Sequence, residues 1–560
     1  MTKYLNLTAI AAVTAIGLWS CKAFPGASVN CSPDPIEVHA DSIKFSIKAS
    51  LPAKSGIKKK GTYMGDAKLG GSSMGKVVFS TLNNPEIVKM GIDTTIKLKG
   101  AYNPNMNGNA VMIEQSYERK GKTFELPSIE NLCQCCITTS YLVDENYQYI
   151  WSQHNYKETV PMNLNAQFLF PKNVFDLQPN ELQKSDIKAI GDFITKKYIA
   201  KKITVTGAAS PEGPYEKNVM LSKNRSKNVQ EWLTKQLKDA GYTQYLDSTF
   251  FDIQVTYEDW DGFKKNLDGQ PYSPDVKKQI TEIVSAGFSE DKREKLIMDL
   301  VGGKEKVEFI LAPLRVSRIS VEGFQPRRTP QEIDALAQSY VDGKMTGNIK
   351  DTFEKEEWLY AISRMKNEDG KRKLLEAYRD AYPTDSRAFN DLGIIAMKTG
   401  DKEKGLDMLS KASKLAGGKD YAILNNLGAA GSANKSYKEA KANLEQSLAS
   451  KSTPEANFNL GVVLERMGRY SMAVEKFNAA GSIPGAKYNA GLSKLLMEDY
   501  NGAKASFNDA TKDNGTAWAY YTMAIVGART SDIGMMSLNL KKACDMDKSL
   551  KTKAAKDLEF

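Results

Sequence analysis

From about Ser42 to Phe170 apolar and polar residues follow the short rhythm of half-buried strands. Ile43-Lys44-Phe45-Ser46-Ile47 alternates strictly, Val77-Val78-Phe79-Ser80 is compact and apolar, Thr94-Thr95-Ile96-Lys97-Leu98 is rich in β-formers, and Tyr141-Leu142-Val143 opens a further strand. Gly and Asn cluster between these runs, so the pattern predicts an all-β sandwich. From Met162 to Glu322 the rhythm changes to strands alternating with helices. Phe168-Leu169-Phe170 reads as a strand, Pro179 opens a helix carrying Leu182, Ile187, Ile190 and Ile194, and Ile203-Thr204-Val205-Thr206 is a second strand ending at Gly207. Beyond Thr329 the three- and four-residue steps of amphipathic helices take over.

The first residues obey a different rule. Leu5 to Leu18 is largely apolar but too short for a membrane span, and it has the length of a signal-peptide core. Leu18-Trp19-Ser20-Cys21 follows, and it resembles the lipobox of bacterial lipoproteins, with Trp19 standing where a small residue is usual. The resemblance implies removal of residues 1–20 and lipidation of Cys21; ordinary cleavage near Ala23 or Ala27 is the alternative. Lys22-Ala23-Phe24-Pro25-Gly26 is not acidic, whereas surface-directed lipoproteins of Bacteroidota tend to be acidic there. The expected location is therefore the outer membrane, lipid-anchored and facing the periplasm.

Composition narrows the partners. The 560 residues are 41% hydrophobic and 26% charged, and 77 basic against 67 acidic residues leave a formal charge of +10. A basic face with interleaved aromatics is missing from the sequence, and the nearest runs, Lys58-Lys59-Lys60 and Lys196-Lys197, are short, so no nucleic-acid partner is expected. Beyond Cys21 the cysteines are Cys31, Cys133, Cys135, Cys136 and Cys544, an odd number. Cys133-Gln134-Cys135-Cys136 lacks the paired spacing of a four-thiolate site, and His39 and His154 are the only histidines, so no metal is assigned. In an oxidising compartment a disulfide from Cys31 to a member of the cluster is the plainer account; a metal site and free buried thiols are the alternatives. Gly71-Ser72-Ser73-Met74-Gly75 matches G-x-S-x-G, and Ser73 to Lys76 matches S-x-x-K, but neither falls between a buried strand and a helix.

In the middle segment Gly207-Ala208-Ala209-Ser210-Pro211-Glu212-Gly213, then Asn218, Leu221-Ser222, Arg225 and Val229, resemble the OmpA-like peptidoglycan-binding domain. That family reads strand, Gly-x-Thr-Asp-x-x-Gly, Asn, then Leu-Ser-x-x-Arg-Ala-x-x-Val on a helix. The resemblance implies a central α/β domain that holds diaminopimelate with a loop Asp and a helix Arg. Arg225 stands at the second position, and its planar fork suits a carboxylate. Ser210 stands at the first and brings a hydroxyl without charge, which makes Glu212 the candidate replacement. Asn218 and Arg318, the latter before the last strand with Arg315, complete the implied peptidoglycan contacts. Tyr257-Glu258-Asp259-Trp260-Asp261-Gly262, in an extra segment spanning 256–306, reads either as a sugar or cation site or as a Trp core anchor.

The helical region repeats itself. Asn390-Asp391-Leu392-Gly393, Asn425-Asn426-Leu427-Gly428, Phe458-Asn459-Leu460-Gly461 and Tyr488-Asn489-Ala490-Gly491 place their glycines 35, 33 and 30 residues apart. This resembles tetratricopeptide repeats, with Trp518 to Ala543 as a capping unit and Trp358 to Tyr378 as an earlier degenerate one. The resemblance implies an all-α superhelix with a concave groove for a protein partner. Asn390, Asn425, Asn426, Asn457, Asn459 and Asn489 are the candidate lining, since an amide both donates to and accepts from a peptide backbone.

The expected architecture is multidomain: signal peptide 1–20, tether 21–41, β-sandwich 42–161, OmpA-like domain 162–322, helical linker or degenerate repeat 323–383, and tetratricopeptide repeats 384–560. The expected function is a non-enzymatic scaffold without cofactor, contacting peptidoglycan through the middle domain and recruiting protein through the repeats. The alternative is a cell-wall-targeted enzyme with its site in the N-terminal domain or the 256–306 insertion.

Overall fold

Alternation decides the first layer. In the computed structural model, which describes residues 26–55, 57–242, 250–512 and 515–560, strand β3 (Ser42–Leu51) buries Ile43, Phe45, Ile47, Ala49 and Leu51 and turns its lysines outward. The expected signal peptide, 1–20, and the expected lipidation site Cys21 lie outside the described residues. In chain order the strands around it are β1 (Ser28–Ser32), β2 (Ile36–His39), β4 (Gly61–Leu69), β5 (Ser72–Ser80), β6 (Ile92–Ala101), β7 (Met112–Arg119), β8 (Lys122–Ile129) and β9 (Cys135–Ile137), with one short helix, α1 (Ile87–Met90). One sheet has β6 along one edge of β3 and β1 and β2 along the other, with β9 on β2; the second runs β5-β4-β7-β8. Their inner faces share one core, in which Phe45 and Ile47 meet Tyr63, Phe79, Ile113 and Tyr117.

Two boundaries differ from expectation. The stretch read as a tether already contains β1 and β2, whose Val29, Ile36 and Val38 are buried. Prolines at 33 and 35 cut the alternation there into pieces too short to stand out. The strand expected at Tyr141 is a 3-10 turn, Thr139–Leu142, after which the chain runs to Ser152 with no ladder partner.

The middle body, His154–Asn367, is built from β10 (Thr159–Leu169), α2 (Ser185–Thr195), β11 (Ile199–Ala208), α3 (Tyr215–Asp239), β12 (Phe251–Thr256), α4 (Trp260–Asp268), α5 (Pro274–Ser285), α6 (Glu290–Val301), α7 (Lys304–Leu311), β13 (Val316–Pro326), α8 (Pro330–Val341), α9 (Ile349–Thr352) and α10 (Lys355–Arg364). The sheet order is β10-β13-β11-β12, with β11 and β12 parallel and the other pairs antiparallel. Helices α2 and α3 cover one face, burying Ile190, Val229 and Leu233 against Phe168, Val205 and Ile319. Helix α2 starts at Ser185 rather than near Pro179, because Glu181 in a preceding 3-10 turn is drawn inward to accept the Leu169 N–H at 2.8 Å. At Gly207 a Cβ would collide with the Ser222 carbonyl, so glycine permits the close strand–helix crossing. The segment 256–306, expected as an insertion, supplies α4, α5 and α6 and, with α7, a separate core of Phe263, Leu267, Ile280, Ile297 and Ile310.

From Glu368 the chain is helical: α11 (Glu368–Ala381), then α12 (Ser386–Lys398), α13 (Lys402–Leu415), α14 (Tyr421–Ala433), α15 (Tyr437–Ser450), α16 (Pro454–Arg466), α17 (Tyr470–Ala480), α18 (Ala486–Leu496), α19 (Tyr500–Thr511), α20 (Ala517–Arg529), α21 (Ile533–Met546) and α22 (Ser549–Ala554). The repeat glycines do what their period predicts: a Cβ on Gly393, Gly428, Gly461 or Gly491 would strike Leu409, Leu444, Phe477 or Phe507 of the following helix. These helices and the N-terminal sandwich form one compact unit. His39 Nδ1 hydrogen-bonds the Tyr470 hydroxyl at 2.8 Å, Arg529 donates to Glu37 at 2.7 Å, and the Arg466 guanidinium lies 4.4 Å from the Tyr141 ring centre.

Candidate functional site

The first helices of the repeats are buried nearly all round; α12 buries every residue from Ala388 to Met397. A helix packed on one side only would expose a stripe, so something covers the other side. It is the chain's own segment 143–152, extended along the groove in the opposite sense to the repeats. The N–H groups of Asp144, Gln148, Ile150 and Ser152 donate to Oδ1 of Asn489, Asn459, Asn426 and Asp391 at 2.8, 2.9, 2.8 and 3.0 Å. The amides return the bond: Nδ2 of Asn489, Asn459 and Asn426 donates to the carbonyl of the same residue at 3.0, 2.7 and 2.8 Å. These acceptors all sit two residues before a repeat glycine. Alternate residues of an extended chain present their backbone groups in the same direction at about 6.6 Å intervals, which fits one pair of residues to each step from Asp391 to Asn459, while the step on to Asn489 takes four, from Gln148 to Asp144.

A second row braces the first. Asn425 Nδ2 donates to the Gln148 carbonyl and Asn390 Nδ2 to the Ile150 carbonyl, at 2.9 and 3.3 Å. Asn459 and Asn426 also donate to Oδ1 of Asn425 and Asn390, at 2.9 and 2.8 Å. Asn390, Asn425, Asn426, Asn459 and Asn489, read from sequence as lining for a protein partner, are therefore engaged by this chain. Asn457 is not among them: its Nδ2 caps the Thr453 carbonyl at 2.9 Å inside its own helix. Sequence reasoning passed over Asp391, which takes the place of an asparagine in the first repeat, and over the occupant itself. Burial raises the Asp391 carboxyl to about 6, against the pull of its hydrogen bonds from Ser152 and Asn390. The side chains between the gripped residues find their own places: Tyr147 meets the Ser432 hydroxyl at 2.9 Å, Glu145 pairs with Arg466 at 3.3 Å, and Trp151 lies under Lys371 and Lys398.

In the middle body Ser210, Glu212, Asn218 and Arg225 are all buried, at 4, 8, 3 and 1% exposure. Arg225 reaches from α3 to three main-chain carbonyls, Ala208 at 2.9 Å, Val174 at 3.1 Å and Pro171 at 3.5 Å, and over the Phe170 ring at 5.1 Å. Burial, then the nearby Arg315 charge, lowers its guanidinium to about 10. Glu212 turns toward Arg315: its Oε1 accepts from Arg315 Nε and Nη2 at 2.8 and 2.5 Å and from the Ser210 hydroxyl at 2.9 Å, while Oε2 meets Lys172 at 2.8 Å. Burial works against this charge, but Lys172 and Arg315 outweigh it and hold the carboxyl at about 2.

The insertion roofs that loop. Glu294 of α6 accepts the Gly213 N–H at 2.9 Å, and Glu308 of α7 grips Arg315 through both oxygens at 2.6 and 2.7 Å. Glu258 accepts from Asn218 Nδ2 at 3.1 Å and from the Trp260 indole at 3.2 Å, while the Trp260 ring packs on Phe263, so this Trp is an anchor of the insertion core. Arg318 is separate from the cluster. It is exposed on β13 and alternates with buried Ser317 and Ile319, which places it on the sheet face opposite α3 beside Thr204, Thr206 and Asn165.

Ser73 lies within strand β5, and its hydroxyl donates to Asp66 across the hairpin at 2.5 Å, an arrangement unlike a strand-to-helix elbow. Cys31 is bonded to Cys133 and Cys135 to Cys136, and Cys544 is the free thiol among the described residues. Among the described residues no group of three or more His, Cys, Asp or Glu is placed to hold a metal ion. No helix among them is long and apolar enough to cross a membrane.

No family model matches the chain, and no curated protein matches it in sequence. Solved structures similar to it are tetratricopeptide proteins. YrrB, described as having an unusual peptide-binding site, is 20% identical over 32% of this chain and 97% of its own, with a TM-score of 0.28. PilF of Pseudomonas aeruginosa is 16% identical over 39% and 94%, TM-score 0.31, and PilW, a type IV pilus biogenesis factor, is 14% identical over 41% and 99%, TM-score 0.32.

Proposed function

We propose that the protein is a non-enzymatic scaffold of the cell envelope, held by a lipidated Cys21 in the outer membrane, facing the periplasm, with its middle domain on peptidoglycan and its repeats receiving a protein partner. The amide ladder carries the scaffold reading: a groove that meets successive backbone N–H and C=O groups of an extended chain is chemistry for holding polypeptide. Because segment 143–152 fills the ladder, a partner protein docks on other surfaces of the repeats or displaces that segment.

The wall contact rests on the resemblance around Arg225. With Ser210 and Glu212 turned inward, a stem-peptide carboxylate reaches Arg225 only by replacing the carbonyls of Pro171 and Val174. The test is co-sedimentation of the purified chain with isolated sacculi, comparing Arg225→Lys and Arg318→Ala after thermal melts establish that each variant folds. Retention lost in folded Arg225→Lys supports the family mode, and loss in Arg318→Ala moves the contact to the open sheet face. No retention of the wild-type chain ends the peptidoglycan reading.

A further inference from the structure

The outer face of the β3–β6 sheet gathers what the sequence scatters. Lys44 and Lys48 of β3 and Lys97 and Lys99 of β6 are all exposed and alternate with residues that point into the sandwich. The register sets Lys44 directly opposite Lys99, Ser46 opposite Lys97 and Lys48 opposite Thr95. On the other side β1 adds Asn30 opposite Lys48 and Ser28 opposite Ser50. Like charges opposite one another in a sheet cost stability. Asp93 is the one carboxylate in the β3–β6 strip, lies at its far end from Lys44 and Lys99 and accepts from Ser50, and none of these lysines is in an ion pair among the described residues. The outward positions of β1, β3 and β6 carry no aromatic ring and set hydroxyl and amide groups between the ammonium groups on an open surface. That geometry suits a planar array of anions better than one enclosed ligand.

We infer that this face docks on the phosphate-bearing headgroups of an anionic membrane. Charge complementarity supplies the first argument, since each lysine close to such a surface strengthens binding roughly fivefold. The path of the chain supplies the second. Strand β1 starts at Ser28, seven residues after Cys21, and an extended connection of that length spans at most roughly 25 Å. An acyl anchor at Cys21 would thus hold the lysine face within reach of its own leaflet. This second argument rests on the anchor reading; the first does not.

The experiment uses the non-acylated Cys21→Ser chain, floated with vesicles of phosphatidylethanolamine and phosphatidylglycerol or of phosphatidylcholine alone. Binding to the anionic vesicles only is expected, weakening steeply with salt. Lys44→Ala with Lys99→Ala should lower it about 25-fold and melt no lower than wild type, because the substitutions relieve repulsion. Lys541→Ala with Lys548→Ala, on exposed positions of the helical region, should leave it unchanged. Equal binding to both vesicles, no binding to the anionic ones, insensitivity to the Lys44/Lys99 change, or retention on polyglutamate in place of vesicles would overturn the inference. Palmitate labelling of wild-type protein in cells tests the anchor separately: absent label with lysine-dependent vesicle binding removes the anchor and keeps the surface.

Discussion

The repeat groove and the Ser210–Gly213 loop are each filled from within, but by opposite chemistry. The groove meets main-chain groups with neutral amides, so each bond satisfies donor and acceptor together and little charge is buried. The loop buries Glu212 and Arg315 and recovers their desolvation through several charged partners at once. An amide ladder can be lengthened one repeat at a time, each step tied only to its neighbour. A charge cluster stands or falls with its central carboxylate. The two should therefore answer differently to substitution and to pH.

The largest effect is expected at Glu212. In Glu212→Gln the buried Arg315 keeps Glu308 but loses its inner partner, while Lys172 and Lys304, whose Nζ lies 3.5 Å from Glu212 Oε2, turn to solvent, so a loss of about 3 kcal/mol is expected. Trp232 and Trp260 emission during denaturant unfolding reads it in the middle body. The sign with pH follows from the lowered carboxyl at about 2: the stabilisation is complete above the ordinary value of 4.5 and drains away as pH falls toward 2. A cost below about 1 kcal/mol would mean that the cluster does not lock the loop, and would sharpen the case for Glu212 as a ligand group.

Asn459→Ala comes next. It strands the N–H of Gln148 and the Oδ1 of Asn425, while Asn425 Nδ2 still reaches the Gln148 carbonyl. About 2 kcal/mol is expected, with faster hydrogen exchange confined to 143–152 and the neighbouring helices. Exchange rising across the whole helical unit instead would show that the ladder is not stepwise. That outcome would erase its contrast with the charge cluster.

How far the sequence foretold these sites follows the same division. The repeat helices were legible because glycine at a regular step has one steric cause, and Gly393, Gly428, Gly461 and Gly491 each lie against the next helix. The asparagines were legible as a row, but nothing in an amide says whether the peptide it meets comes from another molecule. The occupant was misread because Tyr141-Leu142-Val143 has strand composition, and a chain hydrogen-bonded to side chains alternates as one paired in a sheet does. In the middle body the loop and helix stood out by spacing, whereas the inward turn of Glu212 depends on Arg315, 103 residues away, and on helices of an insertion without a repeat or cap to announce it. The lysine face needed register: Lys44 and Lys99 become neighbours only once β3 and β6 are paired.

Asp391 departs from the groove's neutral rule, and changing it gives the smallest but most discriminating effect. It occupies the step that Asn426, Asn459 and Asn489 occupy in later repeats, and it accepts the Ser152 N–H as they accept theirs. Its carboxyl is raised from 3.8 to about 6, so between these values the folded chain binds a proton that the unfolded chain releases. Stability from this group is thus complete below about 4 and lost as pH rises through 6, opposite in sign to Glu212. Asp391→Asn keeps the acceptor and removes the charge. At pH 7 it should stabilise the helical unit by about 1–2 kcal/mol, less than the full shift implies because Lys371 loses a favourable neighbour. Its denaturation midpoint should also stop declining between pH 4 and 6. A destabilised Asp391→Asn at pH 7 would show instead that the first step of the groove depends on charge, and the two filled sites would then differ in degree rather than in kind.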